Sequence, residues 1–138
     1  MLKKQNRVII DTNLWISFLL TKDLFKLDKM FASHSFTLLF NDTLLNEFLD
    51  VAQRPKFKKY FSNELLQELL RQIENHALFI TEKSEINVCR DPKDNFLLSL
   101  CIDGKATHLI TGDKDLLDIK VFGKTKIITI TEYLKKFG

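Results

Sequence analysis

The chain has 138 residues, of which 45% are hydrophobic and 28% charged, with a formal net charge of +3. This length predicts a single domain over residues 1–138 and leaves no room for a second. The mildly basic charge permits a polyanionic partner without requiring one. No apolar run approaches the roughly 20 residues of a membrane helix, so we expect no membrane partner. Cys89 and Cys101 lack metal-ligand spacing, and with no signal peptide visible we expect reduced thiols and a cytoplasmic protein.

The first predicted strand ends on an acid. Arg7 to Ile10 is a short run rich in β-branched apolar residues, and Asp11 and then Thr12-Asn13 follow it. A strand that stops in this way brings Asp11 to the end of a sheet, where a ligand can reach it. A helix is predicted from Leu14 to Leu20, and apolar residues recur at helical spacing again over residues 24–31.

The next helix carries an acid at the edge of its apolar face. Residues 36–40 predict a second strand, and Asp42 is the predicted N-cap of a helix from Thr43 to Gln53. At about 100° per residue, Glu47 lies beside the apolar stripe, whereas Asp50 lies farther round towards solvent. We therefore expect Glu47 to face a site, against the alternative that it is an ordinary solvated helix glutamate.

A basic and aromatic segment follows this helix. Arg54 should end the helix, because a residue before proline avoids the α region. Residues 56–61 then interleave lysines with aromatic side chains. Such a segment could follow a nucleic-acid backbone and stack on its bases, or it could be a solvated lysine face above core aromatics. A long helix capped by Ser62 and a third strand over residues 78–81 come next.

A later helix is predicted to begin with an acid that points towards the core. Asp91 is its expected N-cap, because Pro92 suits the first helical position, and Asp94 lies in the first turn. By the same angular rule, Asp94 falls in the middle of the apolar arc, where a carboxylate needs a partner. The alternative is an acid that serves only the helix dipole. The polar side of this helix is predicted to carry Asn95, Ser99 and Asp103.

The remaining segments complete an alternating pattern. Gly104 is the predicted C′ glycine of the preceding helix. Strands are predicted over residues 107–111 and 126–130, with Asp113 in the turn after the first of them and a terminal helix over residues 131–137. Strands that alternate with helices predict an α/β fold whose parallel sheet is covered on both faces.

Four acids are expected at one end of this sheet. Asp11 and Asp113 follow strands one and four, and they meet if those strands are neighbours, while Glu47 and Asp94 lie on nearby helices. Carboxylates about 4 Å apart repel by roughly 4 kcal/mol per pair at an effective dielectric of about 20, and a cation relieves this repulsion. Oxygen ligands without Cys or His favour Mg²⁺ or Mn²⁺. Such ions activate water and clamp phosphate oxygens, which is the chemistry of phosphodiester hydrolysis.

Together these segments resemble the PIN domain family over essentially the whole chain, and most nearly the toxin ribonucleases of bacterial toxin–antitoxin systems. The resemblance rests on residues 9–13, Glu47, Asp94 and residues 111–116. It implies a three-layer α/β/α sandwich whose central parallel sheet has four to five strands in an order near 3-2-1-4-5. It also implies a Mg²⁺- or Mn²⁺-dependent endoribonuclease that cleaves RNA with a metal-activated water, frequent homodimers, and inhibition by a small antitoxin protein.

The resemblance also assigns roles by position. The catalytic and metal-binding acids would be Asp11, Glu47, Asp94 and Asp113. The residues that position the substrate would be Thr12, Asn13 and Thr111. Asp115 matches a position that is acidic in only some members, so its role as a ligand stays open.

Two other classes of protein compete with this interpretation. A phosphatase of the haloacid dehalogenase type needs a second Asp two residues after the first, where this chain has Asn13. The stronger rival is a catalytically inactive PIN-like module that binds RNA or a protein partner, and metal binding would separate it from the enzyme.

Overall fold

The computed structural model describes residues 5–21, 36–84 and 92–137. The helix predicted around residues 24–31, the predicted N-cap Asp91, and Cys89 lie outside these ranges. The described strands are β1 (Asn6–Ile10), β2 (Phe36–Phe40), β3 (Ala77–Phe79), β4 (His108–Ile110), β5 (Val121–Phe122) and β6 (Thr125–Ile128). The described helices are α1 (Thr12–Thr21), α2 (Asp42–Ala52), α3 (Pro55–Lys58), α4 (Asn63–His76), α5 (Pro92–Asp103), α6 (Lys114–Ile119) and α7 (Ile130–Phe137).

The strands form one sheet in the order β3-β2-β1-β4-β6-β5. The first five in this order pair in parallel, which confirms the predicted order once β6 is taken as the fifth predicted strand. The sequence analysis missed β5, which adds an antiparallel edge to β6. A tight turn joins these two strands, and Gly123 has a φ of +60° there, a conformation that glycine adopts without strain.

The centre of the sheet is formed by β1 and β4. Their paired residues include Val8 with His108 and Ile10 with Ile110. Ile9 and both isoleucines of the second pair are at most 1% exposed. A parallel strand that is covered on both faces needs such a continuous apolar run, and helices flank this mainly parallel sheet. None of the helices in the described ranges is long and apolar enough to cross a membrane.

Two predicted helix caps were tested, with different results. Ser62 caps α4 as predicted, and its Oγ accepts a hydrogen bond from the Leu65 backbone N–H at 3.1 Å. The prediction that Asp42 caps α2 was wrong. Asn41 is the N-cap, with Oδ1 2.8 Å from the Leu44 backbone nitrogen. Asn41 directly follows β2, keeps an extended backbone and is buried, so its amide can close the helix end one residue earlier.

The prediction that Gly104 is the C′ glycine of α5 was also wrong. The left-handed residue is Lys105, with φ of 52°, rather than Gly104. Gly104 instead lies where two segments approach closely. A Cβ there would be 2.8 Å from Leu39 Cδ1 and 3.1 Å from the Leu100 carbonyl oxygen. Glycine is therefore needed at this position for space.

Helix α5 departs from its angular pattern at two positions. Ser99 was assigned to the polar side, but it is buried, and the apolar Ile102 is 46% exposed. The Ser99 hydroxyl donates to the Asn95 carbonyl oxygen at 3.1 Å. A serine whose hydrogen bond stays within its own helix can be buried at little cost, which is why polarity alone misplaced it.

We predict that Gly104→Ala destabilises the fold by about 1–3 kcal/mol, because the added methyl group would overlap Leu39 and the helix backbone. Urea unfolding measures this difference. Gly112→Ala is the matched control, since a Cβ there meets nothing within 4 Å, and its effect should stay within about 0.5 kcal/mol. Equal effects of the two substitutions would contradict the packing explanation.

Candidate active site

Asp11 is fixed at the point where β1 ends and α1 begins. Its backbone N–H donates to the Ile110 carbonyl at 3.0 Å, which extends the pairing with β4 by one residue. Its own carbonyl accepts from the backbone N–H groups of Leu14 at 3.0 Å and Trp15 at 3.2 Å, the first turn of α1. Strand and helix hydrogen bonds therefore hold the same residue, and its side chain is left little freedom of position.

Thr111 orients the carboxylate of Asp11. The Thr111 hydroxyl donates to Asp11 Oδ2 at 2.7 Å and accepts from the Asp113 backbone N–H at 3.0 Å. The Asn13 backbone N–H donates to Asp11 Oδ1 at 3.3 Å. Asp11 and Thr111 are 6% and 1% exposed. The end of β4 thus sets the direction of the carboxylate at the end of β1.

The environment of Asp11 opposes its ionisation. Burial raises its pKa above the ordinary value of 3.8, and hydrogen bonds from Thr111 and Asn13 lower it only in part. The nearby carboxylate of Asp113 raises the pKa further. A carboxylate in such a place is stabilised in its charged form when a cation binds beside it.

The four predicted acids line one cavity of about 270 Å³. Thr12 and Asn13 line it as well. The acids come from two strand ends and two helices: Asp11, Glu47, Asp94 and Asp113. Thr111 is not among the lining residues and lies behind Asp11 as its hydrogen-bond donor.

On each of two helices, the acid that the helix angle predicted to face the site lines the cavity, and the other acid does not. Glu47 lines the cavity, and the Thr12 hydroxyl donates to its Oε2 at 3.4 Å. Asp50 lies outside, 3.3 Å from Arg54. On α5, Asp94 lines the cavity. The Asp103 carboxylate instead accepts hydrogen bonds from the backbone N–H groups of Lys83 at 2.8 Å and Ser84 at 3.1 Å.

Asp113 lies in the cavity wall, and Asp115 does not. Asp113 is half-buried, lines the cavity and caps α6, where its Oδ1 accepts from the Asp115 backbone N–H at 2.9 Å. The Asp115 side chain is exposed and is not among the lining residues. The structure therefore gives Asp115 a place in the helix start rather than in the cavity.

The donors suit a hard divalent cation in their chemistry. The lining residues include four carboxylates and no His or Cys, which favours Mg²⁺ or Mn²⁺. No three His, Cys, Asp or Glu side chains among the described residues are placed to hold a metal ion together. Mg²⁺ keeps several of its own waters and is commonly held by one or two carboxylates, so it does not need three converged ligands.

The sequence analysis did not place Arg54, Lys56 or Phe57 at the acidic site, although it offered residues 56–61 as a segment that could follow a nucleic-acid backbone. Arg54, Lys56 and Phe57 line the same cavity as the acids. Arg54 was interpreted only as the residue that ends α2. A usable signal was present, because Glu47, Val51 and Arg54 follow one another at spacings of four and three residues, which places them along one side of a helix.

The chain belongs to the PIN domain family, whose model matches residues 7–115. The matched range includes all four acids of the cavity. The chain is also similar to uncharacterized protein MJ1680 of Methanocaldococcus jannaschii, at 28% identity over 95% of this chain and 91% of that protein. PIN domains are generally nucleases that use Mg²⁺ or Mn²⁺, so the family indicates a nuclease-type function.

We predict a specific pH dependence of stability for Asp11→Asn in metal-free buffer. Because the folded pKa of Asp11 is raised, the folded state binds the proton more tightly than the unfolded state. The free energy of unfolding of the wild type, relative to Asp11→Asn, should therefore fall as the pH rises from about 3.8 to the raised pKa, and then stay level. Urea unfolding at a series of pH values, with a chelator present, measures this difference.

Asp103→Asn provides a control of opposite sign. Slight burial raises the pKa of Asp103, but hydrogen bonds from Ser84 and from the Lys83 backbone outweigh this and lower it. The wild type should therefore be more stable than Asp103→Asn at neutral pH, and this advantage should shrink as the pH falls through the lowered pKa. If Asp11→Asn gave the same trend as Asp103→Asn, Asp11 would be a structural carboxylate.

Proposed function

We propose that this protein is a Mg²⁺- or Mn²⁺-dependent endoribonuclease that hydrolyses RNA phosphodiester bonds, and that it is the toxin of a toxin–antitoxin pair. The observation that carries the proposal is the arrangement of Asp11, Glu47, Asp94 and Asp113 around one cavity. These acids are far apart in the chain, and a fold has no structural reason to gather carboxylates that repel one another. Membership of the PIN domain family gives the arrangement a nuclease context.

Each acid is assigned a place in the reaction by the element that carries it. A divalent ion bound here would supply an activated water and would stabilise charge on the phosphate oxygens. Asp11 and Asp113 would hold it from the strand ends, with Asp11 kept in direction by Thr111. Glu47 and Asp94 would complete the negative site from α2 and α5.

Three polar residues would help to position the substrate, and one of them would do so directly. Asn13 is exposed and lines the cavity, so its amide can reach a bound phosphate or ribose. Thr12 is buried and donates to Glu47, so it would act by holding that acid in place. Thr111 would act in the same indirect way through Asp11.

The finer parts of the proposal rest on the resemblance to the toxin branch of the family. They are RNA as substrate, a small antitoxin protein as inhibitor, a homodimer, and a cytoplasmic location. Residues 1–138 would act as a single domain. The antitoxin, the homodimer and the cytoplasmic location are not needed for metal-dependent cleavage of RNA, and each can fail without affecting it.

We predict that Asp11→Asn and Asp113→Asn each reduce cleavage of a single-stranded RNA in Mn²⁺ by at least about 100-fold, since each would remove a carboxylate that holds the ion on which activation of the water depends. Circular dichroism should show that both variants remain folded. Asp118→Asn is the control, because this acid is exposed on α6 and does not line the cavity. Full activity of Asp11→Asn would contradict the assigned role.

The toxin role makes a separate prediction in cells. Expression of the wild type in bacteria should arrest growth and create new RNA 5′ ends, whereas Asp11→Asn should do neither. Sequencing of RNA ends in the two cultures measures the difference. Identical RNA profiles and normal growth would overturn the toxin role, and cleavage in vitro would then stand by itself.

A further inference from the structure

The acidic cavity has a wall of opposite charge that the proposed reaction does not use. Arg54, Lys56 and Phe57 line it together with the four acids. Building on the proposed function, we propose that these three residues, here called the basic wall, position the RNA strand. Arg54 and Lys56 would bind a phosphate next to the scissile one, and Phe57 would stack on an unpaired base.

The chain holds the basic wall in place at the corner between α2 and α3. The Arg54 carbonyl accepts from the backbone N–H groups of Phe57 at 2.9 Å and Lys58 at 3.0 Å, which closes the single turn of α3. Pro55 starts that turn with a fixed φ. Phe57 is partly buried against the hydrophobic core. The corner is thus anchored, and the charged side chains on either side of it are exposed.

Arg54 retains most of its capacity to bind an anion. Its Nη2 lies 3.3 Å from Asp50 Oδ2, and the two side chains are 46% and 73% exposed. An ion pair so open to solvent contributes little stability. A guanidinium has five N–H donors, so Arg54 can hold a phosphate with two parallel hydrogen bonds and keep Asp50 as a neighbour.

Lys56 places its cation over the aromatic ring of Phe57. Lys56 Nζ lies 4.9 Å from the centroid of the Phe57 ring. Proteins that bind single strands combine positive groups along the backbone with aromatic rings on which bases stack. In a duplex the base faces are already stacked on each other, so a ring beside the active site favours an unpaired strand.

The net charge of the cavity should make RNA binding by the basic wall depend on a metal ion. Four carboxylates line the cavity against two cationic side chains, so without a bound cation the cavity should repel a phosphate. A divalent cation would balance this excess. RNA should therefore bind well only when Mg²⁺ or Mn²⁺ is present, and a chelator should release it.

The test compares steady-state cleavage and fluorescence-anisotropy binding of one labelled single-stranded RNA in Mn²⁺. Arg54→Ala and Lys56→Ala should each raise KM by about tenfold, the loss expected for a charge-assisted hydrogen bond, and leave kcat nearly unchanged. Each should also reduce the slope of log affinity against log salt by about 0.7, the effect of one lost phosphate contact. Phe57→Leu should weaken binding, and Phe57→Tyr should restore it, because tyrosine keeps the ring.

Two control variants separate the basic wall from general effects of charge. Lys58→Ala removes a cation from the same turn but outside the cavity lining, and it should leave KM unchanged. Asp50→Ala breaks the ion pair but keeps Arg54, so it should not reproduce the effect of Arg54→Ala. If Arg54→Ala behaved like either control, the basic wall would be overturned. Equally tight binding of a duplex of the same sequence would overturn the stacking role of Phe57.

The outcome also distinguishes this inference from the proposed function. If the wild type cleaves RNA and the variants of the basic wall have no effect, the nuclease stands and the basic wall fails. If the wild type binds RNA through Arg54 and Lys56 but cleaves nothing, the nuclease fails and the basic wall stands. If the wild type does not bind RNA at all, both fail.

Discussion

The central constraint on the site is that the carboxylate of Asp11 is buried beside another acid, which costs free energy when Asp11 is ionised. Burial raises the pKa of Asp11, and the nearby Asp113 raises it further. The protein offsets part of this cost with the hydrogen bond from Thr111, which joins the ends of the two central strands. The remaining imbalance is what a cation would relieve, so the electrostatic cost of the fold and its proposed activity have the same origin.

Topology turns this local interaction into a site. In a parallel sheet the carboxyl ends of neighbouring strands meet at one edge, and the pairing of β1 with β4 brings Asp11 and Asp113 together there. Helix α2 then contributes Glu47, and Arg54 follows it in the corner before α3. One cavity therefore offers carboxylates that would hold a cation and basic side chains that would hold an anion. A metal-dependent enzyme that cleaves a polyanion needs both.

Much of this arrangement could be predicted from the sequence, because it follows from strong local signals. The apolar runs predicted the parallel strands, the resemblance to the PIN domain family implied their order, and helix angles distinguished Glu47 from Asp50. The parts that were missed depend on contacts between distant segments. Gly104 is needed because Leu39 lies against it, and Ser99 is buried because its hydroxyl bonds within the helix. Arg54 was missed because a residue that ends a helix was not considered as part of its face.

The central claim is that these carboxylates form a metal site, and a calorimetric titration of the full chain with Mn²⁺ tests it most directly. We expect saturable binding by the wild type and a clear loss of affinity in Asp11→Asn. Asp50→Asn, a substitution on α2 outside the cavity lining, is the control and should leave the affinity unchanged. No Mn²⁺ binding by the folded wild type would contradict the account, and the chain would then be an inactive PIN-like module that binds RNA or a protein partner.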